Sequence, residues 1–213
     1  MGIFDKEKPT FDPTTIDDPI AKKTQWGPAK RGGTSFHTHY LSRISNQRVE
    51  FKISELALLF PGLFIFIGLG ISMAMVIGFR PFNLPPFIGL PLGIIFCIAG
   101  IYMMISWITP RKFDLNKGYY WKSRKEPEPH KMKLIEESCR IKSIHAIQLV
   151  QEYCSNSSYS GGSNSFYSYE LNLVLKDGNR LNVIDHGNLS NIQSDAKKLS
   201  EFLNIPIWDA TTQ

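Results

Sequence analysis

Two long uncharged runs govern what this chain can become. Leu56 to Phe79 is 24 residues without one Asp, Glu, Lys or Arg, and Phe87 to Ile108 is 22 more. A helix rises about 1.5 Å per residue and the hydrocarbon core of a bilayer is about 30 Å thick, so about 20 apolar residues cross it. Both runs reach that length and are too apolar for buried helices of a small soluble protein. They predict two transmembrane helices, 56–79 and 87–108. The first begins too far along the chain for a cleaved signal peptide.

The link, "RPFNLPP" from Arg80 to Pro86, is too short to cross again, so the helices form an antiparallel hairpin over 55–110, and its three prolines suit a loop. In the twenty residues before the first span Lys and Arg number three (Arg43, Arg48, Lys52), and in the twenty after the second they number six (Arg111, Lys112, Lys117, Lys122, Arg124, Lys125), against Arg80 alone in the link. The positive-inside rule then puts both termini in the cytoplasm. Cys97, Cys139 and Cys154 show no Cys-x-x-Cys spacing, so neither a disulfide framework nor a zinc site is expected. A net charge of +5, concentrated beside the spans, suits an anionic leaflet rather than nucleic acid.

Outside the spans the chain reads as one split domain, 35–54 with 111–208, followed by a tail at 209–213. Residues 1–34 are Pro-, Asp-, Thr- and Lys-rich without apolar period and read as a flexible arm. The chain begins Met-Gly, but Lys6 stands where a myristoylation signal needs Ser or Thr. Val49, Phe51 and Ile53 alternate with Glu50 and Lys52 as a half-buried strand does, and Ser35–Ser45 can pair with it through a turn at Asn46-Gln47. Such a hairpin is marginal alone, so 35–53 must pair with strands beyond residue 110.

Those strands are expected at 112–115 and 119–124, joined by Asn116-Lys117-Gly118, then at 144–153, 166–175 and 180–186. Asp177-Gly178 supplies the last turn. The Ser-, Asn- and Tyr-rich segment 155–168 reads as a long flexible loop able to meet a partner. A helix follows, with Ser190 and Gln193 spaced as a capping box. Ile192, Ala196, Leu199 and Leu203 form its apolar stripe, and Asn204 and Pro206 end it. The predicted fold class is a two-helix membrane hairpin plus an α+β cytoplasmic domain, an antiparallel pleckstrin-homology-like barrel or sheet capped by the C-terminal helix.

His37 and His39 could hold a metal from one face of a strand, but zinc takes three or four ligands. His130, His145 and His186 share no spacing with them, so no metal or cofactor is expected, and the pair reads as a partner-facing strand. Asp185-His186 lacks an accompanying nucleophile, and His186-Gly187-Asn188 reads as the turn into the helix. "RKFDLNKGYYWKSRK" is the most informative polar stretch. Arg111, Lys112, Lys117, Lys122, Arg124 and Lys125 interleave there with Tyr120 and Trp121, a pattern suited to an anionic lipid surface. Tyr159, Phe166 and Tyr167 join His37 and His39 as candidate partner contacts. Small residues four apart (Gly68 with Ser72, Gly70 with Ala74, Ala74 with Gly78, Gly89 with Gly93) suit close helix packing.

"RKFDLNKG" after the second span, "IKSIHAIQL" in a central strand and "AKKLSEFLNIPIWD" at the end resemble bacterial membrane-anchored pleckstrin-homology-like proteins. In layout the chain is similar to the two-span photosystem I assembly protein family. The likeness runs from Glu55 to the C-terminus. The N-terminal arm, the first strand pair and the Ser/Gly-rich loop depart from it. It implies a non-enzymatic scaffold, assembly factor or accessory subunit of a membrane protein complex in a bacterial inner membrane, with no catalytic residue. Self-association is compatible with it. The alternative from the residues is a regulator whose domain senses anionic lipid or a small ligand.

Overall fold

The computed structural model describes residues 11–30, 32–79, 84–126, 128, 137–157 and 163–211. The chain divides into two compact units: Lys52–Pro110, and the segments before and after it.

The inserted unit is a helical pair, α1 (Glu55–Val76) and α2 (Pro86–Trp107), each long and apolar enough to cross a membrane. Only 17% of each span's most apolar window is buried, unlike the core helix of a soluble protein, and Leu56, Phe66, Val76, Phe87 and Tyr102 face outward. The helices run antiparallel and meet at glycines. A Cβ on Gly68 would lie 2.6 Å from the Gly93 carbonyl, and one on Gly100 would lie 2.8 Å from that of Pro61. Gly89 packs in the same way against Met75. Phe60 stacks on Trp107, with ring centroids 6.0 Å apart. Gly70, expected to pack, faces open space, and Ala74 is only half-buried. The expected seam therefore splits: Gly68, Gly89 and Gly93 belong to it, Gly70 does not, and Gly100 was missed. Arg80 lies outside the described residues.

The other unit carries two sheets. The first orders β1 (His39–Ser45), β2 (Arg48–Ile53), β3 (Arg111–Asp114), β4 (Tyr119–Lys122) and β5 (Ser138–Arg140) in sequence. Val49 opposes Phe113 and Phe51 opposes Arg111. The strand pair before the hairpin is therefore completed by chain beyond residue 110, as its marginal stability alone requires.

The second sheet comprises β6 (Ile144–Ser157), β7 (Ser163–Leu175), β8 (Arg180–His186) and β9 (Ile207–Asp209), ordered β8-β7-β6-β9. Its β6–β9 pair is parallel. In place of the expected single antiparallel barrel or sheet there are two sheets that do not close, largely antiparallel, with one of them mixed. Their inner faces share a core in which Phe51, Phe113 and Tyr120 meet Ile147, Leu149, Leu171, Leu173 and Ile184. Helix α3 (Leu189–Leu203) adds Ile192, Ala196 and Leu199, the predicted stripe. Its cap is Asn188, whose side chain accepts from the Asn191 amide, rather than Ser190. Asn204 ends it at φ 54°.

Where the expected flexible arm is described, it is packed on the domain: residues 11–30 and 32–34 lie along the outer face of the second sheet as a strap, and residues 1–10 lie outside the described residues. Ala21 is fully buried, and Ile16, Ile20 and Trp26 pack with it around Ala146, Val174 and Trp208. The Trp26 and Trp208 rings are 5.8 Å apart. Its apolar anchors are few and irregularly spaced, and the stretch after Trp26 is held through its backbone, so neither leaves a periodic trace in sequence.

Candidate functional site

His37 and His39 do not share a strand face. His37 precedes β1, and its ring packs 4.2 Å from that of His186. His39 is buried, 4% exposed, with Nε2 2.7 Å from Nη1 of Arg111. Arginine only donates, so this nitrogen accepts, and Nδ1–H donates to Thr38 Oγ1 at 2.8 Å. Arg111 Nε also donates to the Val183 carbonyl at 2.6 Å, so Arg111 ties β3 and β1 to β8. Among the described residues no group of three or more His, Cys, Asp or Glu is placed to hold a metal. His130 and Tyr159 lie outside the described residues.

The basic–aromatic stretch is not one exposed surface. Tyr120 and Trp121 are fully buried, and Lys112 is 8% exposed with its ammonium on the Arg124 carbonyl at 3.1 Å. Burial raises the Tyr120 phenol above its ordinary range. Lys122 pairs with Glu137 at 2.7 Å, and Lys117 pairs with Glu126. Lys117, Arg124 and Lys125 remain exposed. The short strands β3 and β4 explain the correction: alternation turns Phe113 and Tyr120 into the core, and a second buried row crosses the opposite face from Glu50 through Lys112 to Trp121. Burial also pushes the Cys139 thiol up to about 12, which keeps it protonated and inert near neutrality.

The Ser- and Tyr-rich segment is mostly strand. β6 and β7 stay in register from Glu152 opposite Ser168 to Ser157 opposite Ser163, past the last β7–β8 pair at Tyr169–His186. On this two-stranded ribbon Tyr153 and Tyr167 oppose each other, 43% and 48% exposed, with rings 5.3 Å apart. Phe166 is half-buried beside them.

The densest polar arrangement was not anticipated. On the strap face of the second sheet, side chains bind the strap's main chain. Gln148 Nε2 donates to the Gln25 carbonyl at 3.0 Å, and Arg180 Nη1 donates to that of Gly27 at 2.7 Å. The Glu170 carboxylate accepts from the Ala29 and Lys30 amides at 2.7 and 3.0 Å, and that of Glu152 accepts from Gly33 at 3.2 Å. Ser168 Oγ accepts from Thr34 at 2.8 Å. Glu170 has no exposed surface, and burial raises its pKa against the pull of these donors. Burial raises Asp185 likewise. The alternation Ser168, Glu170, Asn172 was visible in the sequence, but a polar outer face ordinarily faces water.

No family model, no curated protein and no solved structure matches this chain.

Proposed function

We propose that the chain is a non-enzymatic adaptor, anchored in a membrane by α1 and α2, that holds or helps assemble a larger membrane protein complex. The observation that carries this reading is the β6–β7 ribbon. Six residue pairs, roughly 20 Å of strand, continue past the last pairing with β8 and carry an exposed Tyr153–Tyr167 pair. Tyrosines of this kind bring large rigid area and a polar tip, the chemistry of protein interface centres. Nine basic residues flanking the spans against one in the link favour a cytoplasmic side for the domain, and the resemblance to bacterial membrane-anchored proteins adds the inner membrane.

Native gel electrophoresis of mildly solubilised membranes tests the reading. The chain should migrate in an assembly far larger than its own micelle-bound mass, and the double variant Tyr153→Ser, Tyr167→Ser should shift it to the small form. Migration of the unaltered chain as a lone monomer would overturn it, as would an assembly indifferent to the double variant.

A further inference from the structure

The strap is fixed in two ways, and the difference between them is informative. Residues 16–26 are anchored by apolar packing around Trp26, Ala21 and Trp208. Residues 27–30 and 32–34 are held by hydrogen bonds between their main chain and sheet side chains, Arg180 donating and Glu170, Glu152 and Ser168 accepting. A surface that reads only main-chain amides and carbonyls accepts any extended segment whose side chains fit. Here the fit has one strict position. A Cβ on Gly33 would overlap Ser168 Cβ and Oγ, so the residue there must be glycine.

The floor is also charged. Glu152 and Glu170 each accept strap amides, and Asp185, beside Glu170 on β8, is drawn down by Lys30 while burial raises it. Arg180 is the counter-charge at the Gly27 end. The segment that fits runs Gly-Pro-Ala-Lys-Arg-Gly-Gly from Gly27 to Gly33, basic and glycine-containing.

We infer that the outer face of β6, β7 and β8 is a docking groove for an extended, basic, glycine-containing segment of a partner polypeptide, and that residues 27–34 are its built-in competitor. The apolar anchor keeps the competitor at the groove while the polar stretch peels away. A tethered occupant acts at millimolar effective concentration, so a partner segment binds weakly until the strap is loosened. A buried carboxylate such as Glu170 requires donors, which is why the groove is filled rather than empty. The inference stands apart from the adaptor reading, because Glu152 and Ser168 point to the face of the sheet opposite Tyr153 and Tyr167.

The test uses the full chain in detergent micelles and, as probe, a fluorescein-labelled peptide of residues 24–36 followed by anisotropy. Gly33→Val drives the strap off Ser168, and Ala29→Pro removes the amide that donates to Glu170. At least one of them, retaining native near-ultraviolet circular dichroism, should bind the peptide at least about tenfold tighter than the unaltered chain. Adding Glu170→Ala should abolish that gain, and a peptide with Val at the Gly33 position should not bind. The inference is overturned if both strap variants, natively folded, bind no tighter than the unaltered chain. It is overturned equally if the unaltered chain binds as tightly as they do, or if Glu170→Ala leaves the gain intact.

Discussion

Gly33 of the strap and Ser168 of β7 approach so closely that no side chain fits at position 33, while the Thr34 amide donates to Ser168 Oγ at 2.8 Å. Contact and hydrogen bond together fix the register of strap on sheet. Gly33→Ala should destabilise the domain by about 1–3 kcal/mol, the range for overpacking a closely fitted site. Ser168→Gly in the same chain should return part of that loss by removing the atoms in the way. Chemical unfolding of the two single variants and the double variant gives the coupling directly; additivity would mean that the two residues do not meet.

The Gly68–Gly93 contact makes the corresponding prediction for the helical pair. With a Cβ on Gly68 placed 2.6 Å from the Gly93 carbonyl, Gly68→Val must push the helices apart. Gly70→Val, facing open space two residues on, is the control. Cysteine cross-linking between positions 64 and 96, where the Phe64 and Phe96 rings stack 5.6 Å apart across the two helices, should fall sharply in the first variant and stay unchanged in the second. Equal effects would show that the seam lies elsewhere.

Elements with a periodic side-chain signature were legible in the sequence. The two spans form the helices their length marks, the Asp177-Gly178 turn joins β7 to β8, and Val49, Phe51 and the α3 stripe bury what their spacing marks. The strap was not legible because its apolar anchors, Ile16, Ile20, Ala21 and Trp26, follow no regular period and the rest is bound through backbone, which every residue has. Tyr120 and Trp121 misled for a related reason. Beside a span, aromatics and lysines suit an interface, yet here the strands they occupy are buried on both faces. Arg111 looks like any juxtamembrane cation until β1 and β8 are brought to it. The catalytic and metal readings of His37, His39 and His186 hung on which residues the fold assembles, and spacing along the chain does not reveal that.

His186 gives the pH dependence. It is fully buried, its Nδ1 accepts from the Asn188 amide at 3.1 Å, and burial beside His37 lowers its pKa to about 4. Unfolded, it titrates near 6.5, so between those values the unfolded chain holds a proton that the folded chain does not. Folding stability therefore falls as pH falls through this window, by about 2 kcal/mol from pH 7 to 5 for this residue. Glu170, Asp185 and Asp195 work the other way. Burial raises each of them, so their contribution is present at low pH and lost as pH rises. Comparison with His186→Gln isolates the histidine. Unfolding in mild detergent at pH 7 and 5 should show a difference between the two chains that changes by about 2 kcal/mol, with the variant relatively better at pH 5. A pH-independent difference would mean that His186 is not held neutral.

Arg111 is the residue whose role the structure changes most, and its geometry predicts an asymmetric result. Nε meets the Val183 carbonyl and Nη1 meets His39 Nε2, two acceptors that a planar guanidinium reaches together. Lysine can satisfy one of them; alanine satisfies neither and strands both. Each buried group left unpaired costs about 1–3 kcal/mol, so Arg111→Ala should cost roughly twice what Arg111→Lys does. Loss of stability alone would not separate this tie from simple packing, but the histidine tautomer does. With Arg111 donating, His39 must carry its proton on Nδ1, and nitrogen chemical shifts of the ring should report that form in the unaltered chain. In Arg111→Ala the shifts should move toward the mixed populations of an unconstrained imidazole. A ring already mixed in the unaltered chain would rule out the Arg111–His39 hydrogen bond.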